Sequence, residues 1–305
     1  MKFSTTKLIG VLVLLVGAYF AIDFLGGGQK SKSLRSVLVE LDTAQVTQLT
    51  VSGPGKNVEL KKKGGLWTVL LDNGKEVPAD KNAVNNALEA LNSIKPARLA
   101  TRKSEKWSEY QVDSAGTVVK AMKGSEVLTE IVLGKLGVTG QRSYHTFVRL
   151  MEDDEVYVAN DFMSFNIPSE ASSYRNSVLA RLKKDSLISI EFSYPSDSSF
   201  RMEKIDDVWM VDGVEADSAA TITYLQGLNY ISSKKFMDDQ ESLSQPLYTV
   251  SFDHVDGTNV TIDGYLYDDQ LVFNSSANQM SYYSDSTILD KVFIGAKQLE
   301  QVAGN

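Results

Sequence analysis

Hydrophobic positions follow two rhythms along this chain. From Leu8 to Leu25 the run LIGVLVLLVGAYFAIDFL is almost continuously apolar, 18 residues with one charge, Asp23, near its end. A helix needs about 20 apolar residues to cross a bilayer, so this run predicts one transmembrane helix. Tyr19, Phe20 and Phe24 gather at its C-terminal end, where an interfacial aromatic belt sits, and Asp23 then lies at headgroup depth. A cleaved signal peptide competes, but Ala18-Tyr19-Phe20-Ala21 has the wrong small-residue spacing for a cleavage site. A buried core helix competes as well, and the run has no polar face to support it. Gly26-Gly27-Gly28 and the polar residues Gln29 to Ser33 read as a short flexible tether.

Beyond Arg35 the rhythm changes to alternation and helical spacing, and the same series of patterns occurs twice. Val46 to Val51 and Leu187 to Phe192 both alternate apolar and polar residues, as half-buried strands do. Val58 to Val69 and Phe200 to Val211 each predict a hairpin whose second strand carries a tryptophan, Trp67 or Trp209. Their turns fall at Gly64-Gly65 and Asp206-Asp207, residues that tolerate positive φ. Val77-Pro78-Ala79-Asp80 and Val214-Glu215-Ala216-Asp217 each open an amphipathic helix, with the aspartate at the N-cap. Val84, Ala87, Leu88, Leu91 and Ile94 form the apolar face of the first, and Leu225, Leu228 and Ile231 that of the second.

Further strands follow in each copy. The first offers Val118 to Met122, Val127 to Leu133, Tyr144 to Leu150 and Val156 to Val158. The second offers Tyr248 to Phe252, Val260 to Ile262, Tyr265 to Tyr267, Leu271 to Phe273 and Met280 to Tyr283. The predicted fold is α+β: an N-terminal transmembrane helix, then two tandem repeats of an antiparallel sheet with one packed helix. The expected divisions are anchor and tether at 1–28, linker at 29–35, first repeat at 36–180 and second repeat at 181–305, with residues 172–184 bridging the repeats.

Charge narrows the partners. The formal net charge is −8, and without Lys2, Lys7 and Asp23 the remaining 29 basic and 38 acidic residues give −9. An acidic body excludes duplex nucleic acid as an expected partner, since phosphate binding needs concentrated Lys and Arg. There is no cysteine, so disulfides, thiolate catalysis, iron–sulfur clusters and a lipid-modified N-terminal cysteine are excluded. Lys2 and Lys7 precede the apolar run, and Lys30, Lys32 and Arg35 follow it, so charge alone does not orient it. The short N-terminal tail makes a signal anchor with an exported body the natural topology.

Several features resemble the bacterial domain of unknown function 4340 family: Leu49-Thr50-Val51, Gly65-Leu66-Trp67, Pro78-Ala79-Asp80, Glu109-Tyr110 and Val132-Leu133-Gly134. Val148-Arg149-Leu150 followed by Val156-Tyr157-Val158 completes the set. The resemblance covers roughly residues 36 to 180 and extends more weakly through the second copy. Gln111 stands where the family usually has glycine, and no proline follows Val112. The resemblance implies a membrane-anchored protein of the bacterial envelope, often encoded beside ABC-type transporter components related to gliding motility. It implies no reaction.

Candidate chemistry is sparse. His145 and His254 lie in different copies at positions that do not correspond, so neither a metal site nor a triad is expected. Glu152-Asp153-Asp154-Glu155 lacks the glycine and ligand spacing of a calcium loop and reads as a solvated turn, as do Asp206-Asp207 and Asp268-Asp269. Gly134, Gly137 and Gly140 match no phosphate-binding fingerprint and read as a loop between strands. Trp67 and Trp209, being equivalent, are expected in cores, whereas Trp107 has no counterpart and is the candidate for an exposed contact.

No catalytic, cofactor or metal residue is therefore expected. The expected function is a non-enzymatic, extracytoplasmic accessory or scaffold on the bacterial inner membrane, held in the bilayer by residues 8–25. Its partner would be an integral membrane protein such as an ABC-type transporter. The alternative is a small-ligand or glycan-binding module, or a cryptic hydrolase, using the cleft between the repeats.

Overall fold

The computed structural model describes residues 35–139, 143–238, 243 and 245–300. The expected membrane anchor at 8–25 and its tether lie outside the described residues. Among the described residues no helix is long and apolar enough to cross a membrane.

The chain is α+β, dominated by two nine-stranded antiparallel sheets. The first contains β1 (Gln48–Gly53), β2 (Lys56–Lys63), β3 (Leu66–Leu70), β4 (Glu76–Pro78) and β5 (Pro96–Thr101). It continues with β6 (Thr117–Lys123), β7 (Glu126–Thr139), β8 (Ser143–Leu150) and β9 (Val156–Asn160), in the spatial order 4-3-2-1-6-7-8-9-5. Leu49 and Val51 of β1 face Leu60 and Val58 of β2, and all four are fully buried. Gly64 and Gly65 both take positive φ, so the β2–β3 turn follows the right-handed twist of its strands. Helix α1 (Lys81–Asn92) is capped by Asp80, whose carboxylate accepts from the N–H groups of Asn82 and Ala83. Its face of Val84, Ala87, Leu88 and Leu91 closes the core, with Trp67 in the same cluster.

The second sheet repeats this order. It contains β11 (Leu187–Ser193), β12 (Phe200–Ile205), β13 (Val208–Val211), β14 (Val214–Glu215) and β16 (Phe236–Met237). It also contains β17 (Tyr248–His254), β18 (Asn259–Tyr267), β19 (Gln270–Ser275) and β20 (Tyr282–Tyr283), arranged 14-13-12-11-17-18-19-20-16. Asp206 and Asp207, and likewise Asp268 and Asp269, take positive φ at their turns. Asp217 caps α3 (Ser218–Leu228) through the N–H of Ala220. The closing contacts match as well: the Asp80 N–H donates to the Tyr174 carbonyl at 2.7 Å, and the Asp217 N–H donates to the Leu299 carbonyl at 2.8 Å.

Some elements differ from expectation. Val260 to Ile262 and Tyr265 to Tyr267 belong to one strand, β18, which runs through the turn-like pair Asp263-Gly264 because both residues pair with β17 on one side and β19 on the other. The glycine-spaced segment from Gly134 is strand rather than loop as far as Thr139, with a register shift against β8 between Leu133 and Leu136. Two short helices, α2 (Trp107–Tyr110) and α4 (Ser286–Val292), stand where the sequence pattern shows no helical period.

The chain passes from one sheet to the other at Asn176. The Asn176 N–H donates to the Pro78 carbonyl, whereas the Ser177 carbonyl accepts from the Ser233 N–H. Strand β10 (Val178–Ala180) then pairs with β15 (Ile231–Ser232) beside the second sheet.

Register fixes the two ends of the first sheet. The β2–β3, β6–β7 and β8–β9 turns share one end, where Arg35 bridges Asp153 at 2.8 Å. The β1–β2 and β3–β4 turns share the other, and the second sheet meets the first there.

Candidate functional site

The side chains singled out in the sequence do not converge. His145 lies in β8 with its ring edge-on to Phe147 at 5.2 Å and packed over Gly137. His254 is buried at the end of β17, opposite Leu187 on the other sheet strand, β11. In the run from Glu152 to Glu155, Glu155 accepts from Arg102 Nε at 2.8 Å and from the Tyr157 hydroxyl. Burial, then the bond to Glu155, pushes the Tyr157 hydroxyl far above its ordinary range. Among the described residues no group of three His, Asp or Glu is placed to hold a metal ion.

Trp107 is half-buried. Its ring lies 3.9 Å from the Arg149 guanidinium carbon, and its Nε1 donates to the Asp154 carbonyl at 3.2 Å. Arg149 is itself buried and donates to the carbonyls of Val112, Leu150, Met151 and Asp153. Tryptophan and arginine together clamp the β8–β9 turn under α2, a structural role.

The concave site lies at the seam between the sheets. A cleft of about 600 Å³ is lined by Lys56 and Asn57 at the start of β2, Asp72 and Asn73 of the β3–β4 turn, Glu170 before the crossover, and Asp238 after β16. Phe236 supplies the aromatic wall. Behind it Arg175 is buried, its guanidinium carbon 3.6 Å from the Phe236 ring centre. Arg175 Nη1 donates to Asp238 at 2.5 Å and Nη2 to Ser281 Oγ at 3.3 Å. Asn73 Nδ2 donates to the Asp238 carbonyl at 3.0 Å, so turns of the first sheet and β16 of the second are tied directly.

The electrostatics suit binding more than proton transfer. Lys56 pairs with Glu170 across the rim, and its hydrogen bond holds that carboxyl below its ordinary value. Neighbouring Tyr174 is buried, which pushes its hydroxyl far up and keeps it neutral. Amides, carboxylates and one lysine thus offer both donors and acceptors around an aromatic wall. In the sequence Arg175 belongs to the polar stretch that bridges the repeats, and nothing there signals its partners 61 and 63 positions downstream.

The architecture defines a class before it defines a member: an α+β chain of two like-ordered antiparallel sheets meeting at a polar seam. A family model described as a domain of unknown function, DUF4340, matches residues 67–247, more than half of the 305 residues. The chain belongs to the DUF4340 family. The match runs from Trp67 in β3 to Leu247, just before β17, and so crosses the seam. Neither a curated protein nor a solved structure matches the chain.

Proposed function

We propose that this chain is a membrane-anchored, extracytoplasmic scaffold that binds an integral membrane partner of the bacterial envelope, such as an ABC-type transporter, without catalysis. One observation carries the partner-binding part. Strand β7 outlasts its neighbour: β6 pairs with it only as far as Leu133, and Leu136 to Thr139 pair only with β8. Leu136, Val138 and Tyr144 stand exposed on this projecting arm. Its counterpart β18 outlasts β17 only over Tyr265 to Tyr267, so the longer arm belongs to the first sheet. An open edge strand with exposed apolar side chains is a docking element for another chain. The anchor comes from the apolar run 8–25, and the transporter class from the family resemblance. A photo-crosslinking residue at Val138 should capture an integral membrane protein in cells, and the same residue at Ile222 on α3 should not. Capture of nothing from either position removes the reading.

A second reading has its own observation, the seam cleft. Its mixed donors and acceptors around Phe236 suit a small polar ligand such as a glycan. Calorimetric titration with N-acetylglucosamine oligomers tests it; heat that persists unchanged in Asn73→Ala and Asp72→Ala places binding elsewhere.

A further inference from the structure

The first sheet has two unlike ends, and the chain leaves at one of them. Arg35 is held against Asp153 beside the β8–β9 turn. Only residues 26–34 separate it from the apolar run that ends at Leu25. Nine residues span at most about 30 Å when fully extended. Strand β8, eight residues long, separates the two ends of the sheet by about 27 Å. A tether that could match the sheet's height only when almost fully extended therefore keeps the Arg35 end as the one nearest the bilayer.

That end carries apolar side chains at its turns. Leu66, directly after the Gly64-Gly65 turn, is 76% exposed. Val127 opens β7 and Met151 follows β8; both are exposed, and together they line one shallow cavity of about 330 Å³. Val37, two residues after Arg35, is exposed as well. Singly, such residues on a protein surface are ordinary. Here they lie at one end of one sheet, on neighbouring turns, where the tether emerges. Lys62, Lys63 and Lys123 flank the same turns, and Glu126 and Glu152 offset them.

We propose that this end of the first sheet rests on the lipid surface, with Leu66, Val127 and Met151 seated at the boundary between headgroups and acyl chains. The proposal rests on the reading of residues 8–25 as a membrane anchor. Tethering makes the contact intramolecular, at an effective concentration of order millimolar for a short flexible link, so a few apolar side chains suffice to orient the body. Because the flanking charges largely offset one another, the contact depends on apolar seating rather than on lipid charge. The second sheet, docked on the opposite end, is then held away from the bilayer, and with it the seam cleft and Leu266 at the β18–β19 turn.

The chain has no cysteine, so single labels are clean. Full-length Leu66→Cys, Met151→Cys and Leu266→Cys would carry a bimane label in phosphatidylcholine nanodiscs containing doxyl-labelled lipid. The expected result is strong quenching at positions 66 and 151, little at 266, and no change between low and high salt. A chain that co-fractionates with the discs but is quenched equally at all three positions, or at none, overturns the surface and leaves the anchor standing. A chain that does not co-fractionate with the discs overturns the anchor and the surface with it. A chain quenched at 66 and 151 at low salt and released at high salt overturns the apolar contact in favour of an electrostatic one.

Discussion

The guanidinium of Arg175 stacks on the ring of Phe236, carbon to ring centre 3.6 Å, and this buried contact crosses from the last segment of the first sheet to an edge strand of the second. The same guanidinium reaches Asp238 and Ser281, so one side chain links several parts of the seam. Its Nε has no hydrogen-bond partner among the described residues, so its position follows from stacking and the two Nη bonds.

Arg175→Ala should therefore uncouple the two sheets. A desolvated cation–π contact contributes about 2 kcal/mol and charged hydrogen bonds about 1.5–3 each, so the loss should be about 2–4 kcal/mol after solvent refills the half-exposed Asp238 side. The expected readout is the splitting of one calorimetric unfolding transition into two. Arg175→Lys keeps the charge but not the planar stack and should fall between. A single transition at an unchanged midpoint in Arg175→Ala would show that the seam is held by something else.

Gln111 adopts a left-handed backbone, φ 55 and ψ 37, at the end of α2. That conformation costs an ordinary L residue roughly 1–2 kcal/mol, whereas glycine adopts it freely but loses more entropy on folding. Gln111→Gly should stabilise by about 0.5–1 kcal/mol, seen as a higher urea midpoint at an unchanged slope. Gln111→Ala, equally strained, should gain nothing.

Local signals in the sequence were readable where a residue type answers its own backbone. The pairs Gly64-Gly65, Asp206-Asp207 and Asp268-Asp269 mark turns by their tolerance of positive φ, and Asp80 and Asp217 mark helix starts by their free carboxylates. What remained hidden depends on distant partners. Gly134 and Gly137 look like loop residues, yet they are glycine because the Tyr110 carbonyl and the His145 ring approach a strand. Trp107 looked free because its cover, Arg149, comes 42 positions later. The α2 and α4 helices have four and seven residues, too few turns for a helical period to emerge. The seam cleft depends on Arg175, whose neighbours in sequence say nothing of Phe236.

Two glycines should respond oppositely to the same methyl group. A Cβ on Gly134 would stand 2.3 Å from the Tyr110 carbonyl oxygen and 2.7 Å from Val112 Cγ1, so backbone must move. Gly134→Ala should destabilise by about 2–3 kcal/mol, in the range of overpacked sites. Gly227 lies inside α3, and a Cβ there meets only Lys291 at 3.5 Å. Gly227→Ala should stabilise by about 0.5–1 kcal/mol through helix propensity. Thermal midpoints of the two variants against the parent check both signs at once.

Acid should act on the second sheet through Asp285. This residue caps α4, accepting from the Thr287 N–H, and its carboxylate also accepts from Ser233 Oγ at 2.8 Å and Lys235 Nζ at 3.0 Å. Desolvation pushes its pKa up, but the bonds from Lys235, Thr287 and Ser233 outweigh it and hold the carboxyl at about 2 against an ordinary 3.8. The folded chain thus binds this proton less readily than the unfolded one, so the stabilisation is complete above about pH 4 and disappears as pH falls through 2. At neutral pH it amounts to about 2 kcal/mol, since a tenfold difference in proton affinity between the folded and unfolded chain corresponds to about 1.4 kcal/mol. Other carboxyls, among them Asp253 and Glu76, are also held low and weaken the parent in acid. Asp285→Asn isolates the one group. It should be less stable than the parent by about 2 kcal/mol at pH 6, and the gap should close as pH approaches 2. A constant gap across that window would mean that the loss comes from packing or capping geometry, and that the charge of Asp285 does not hold α4 in place.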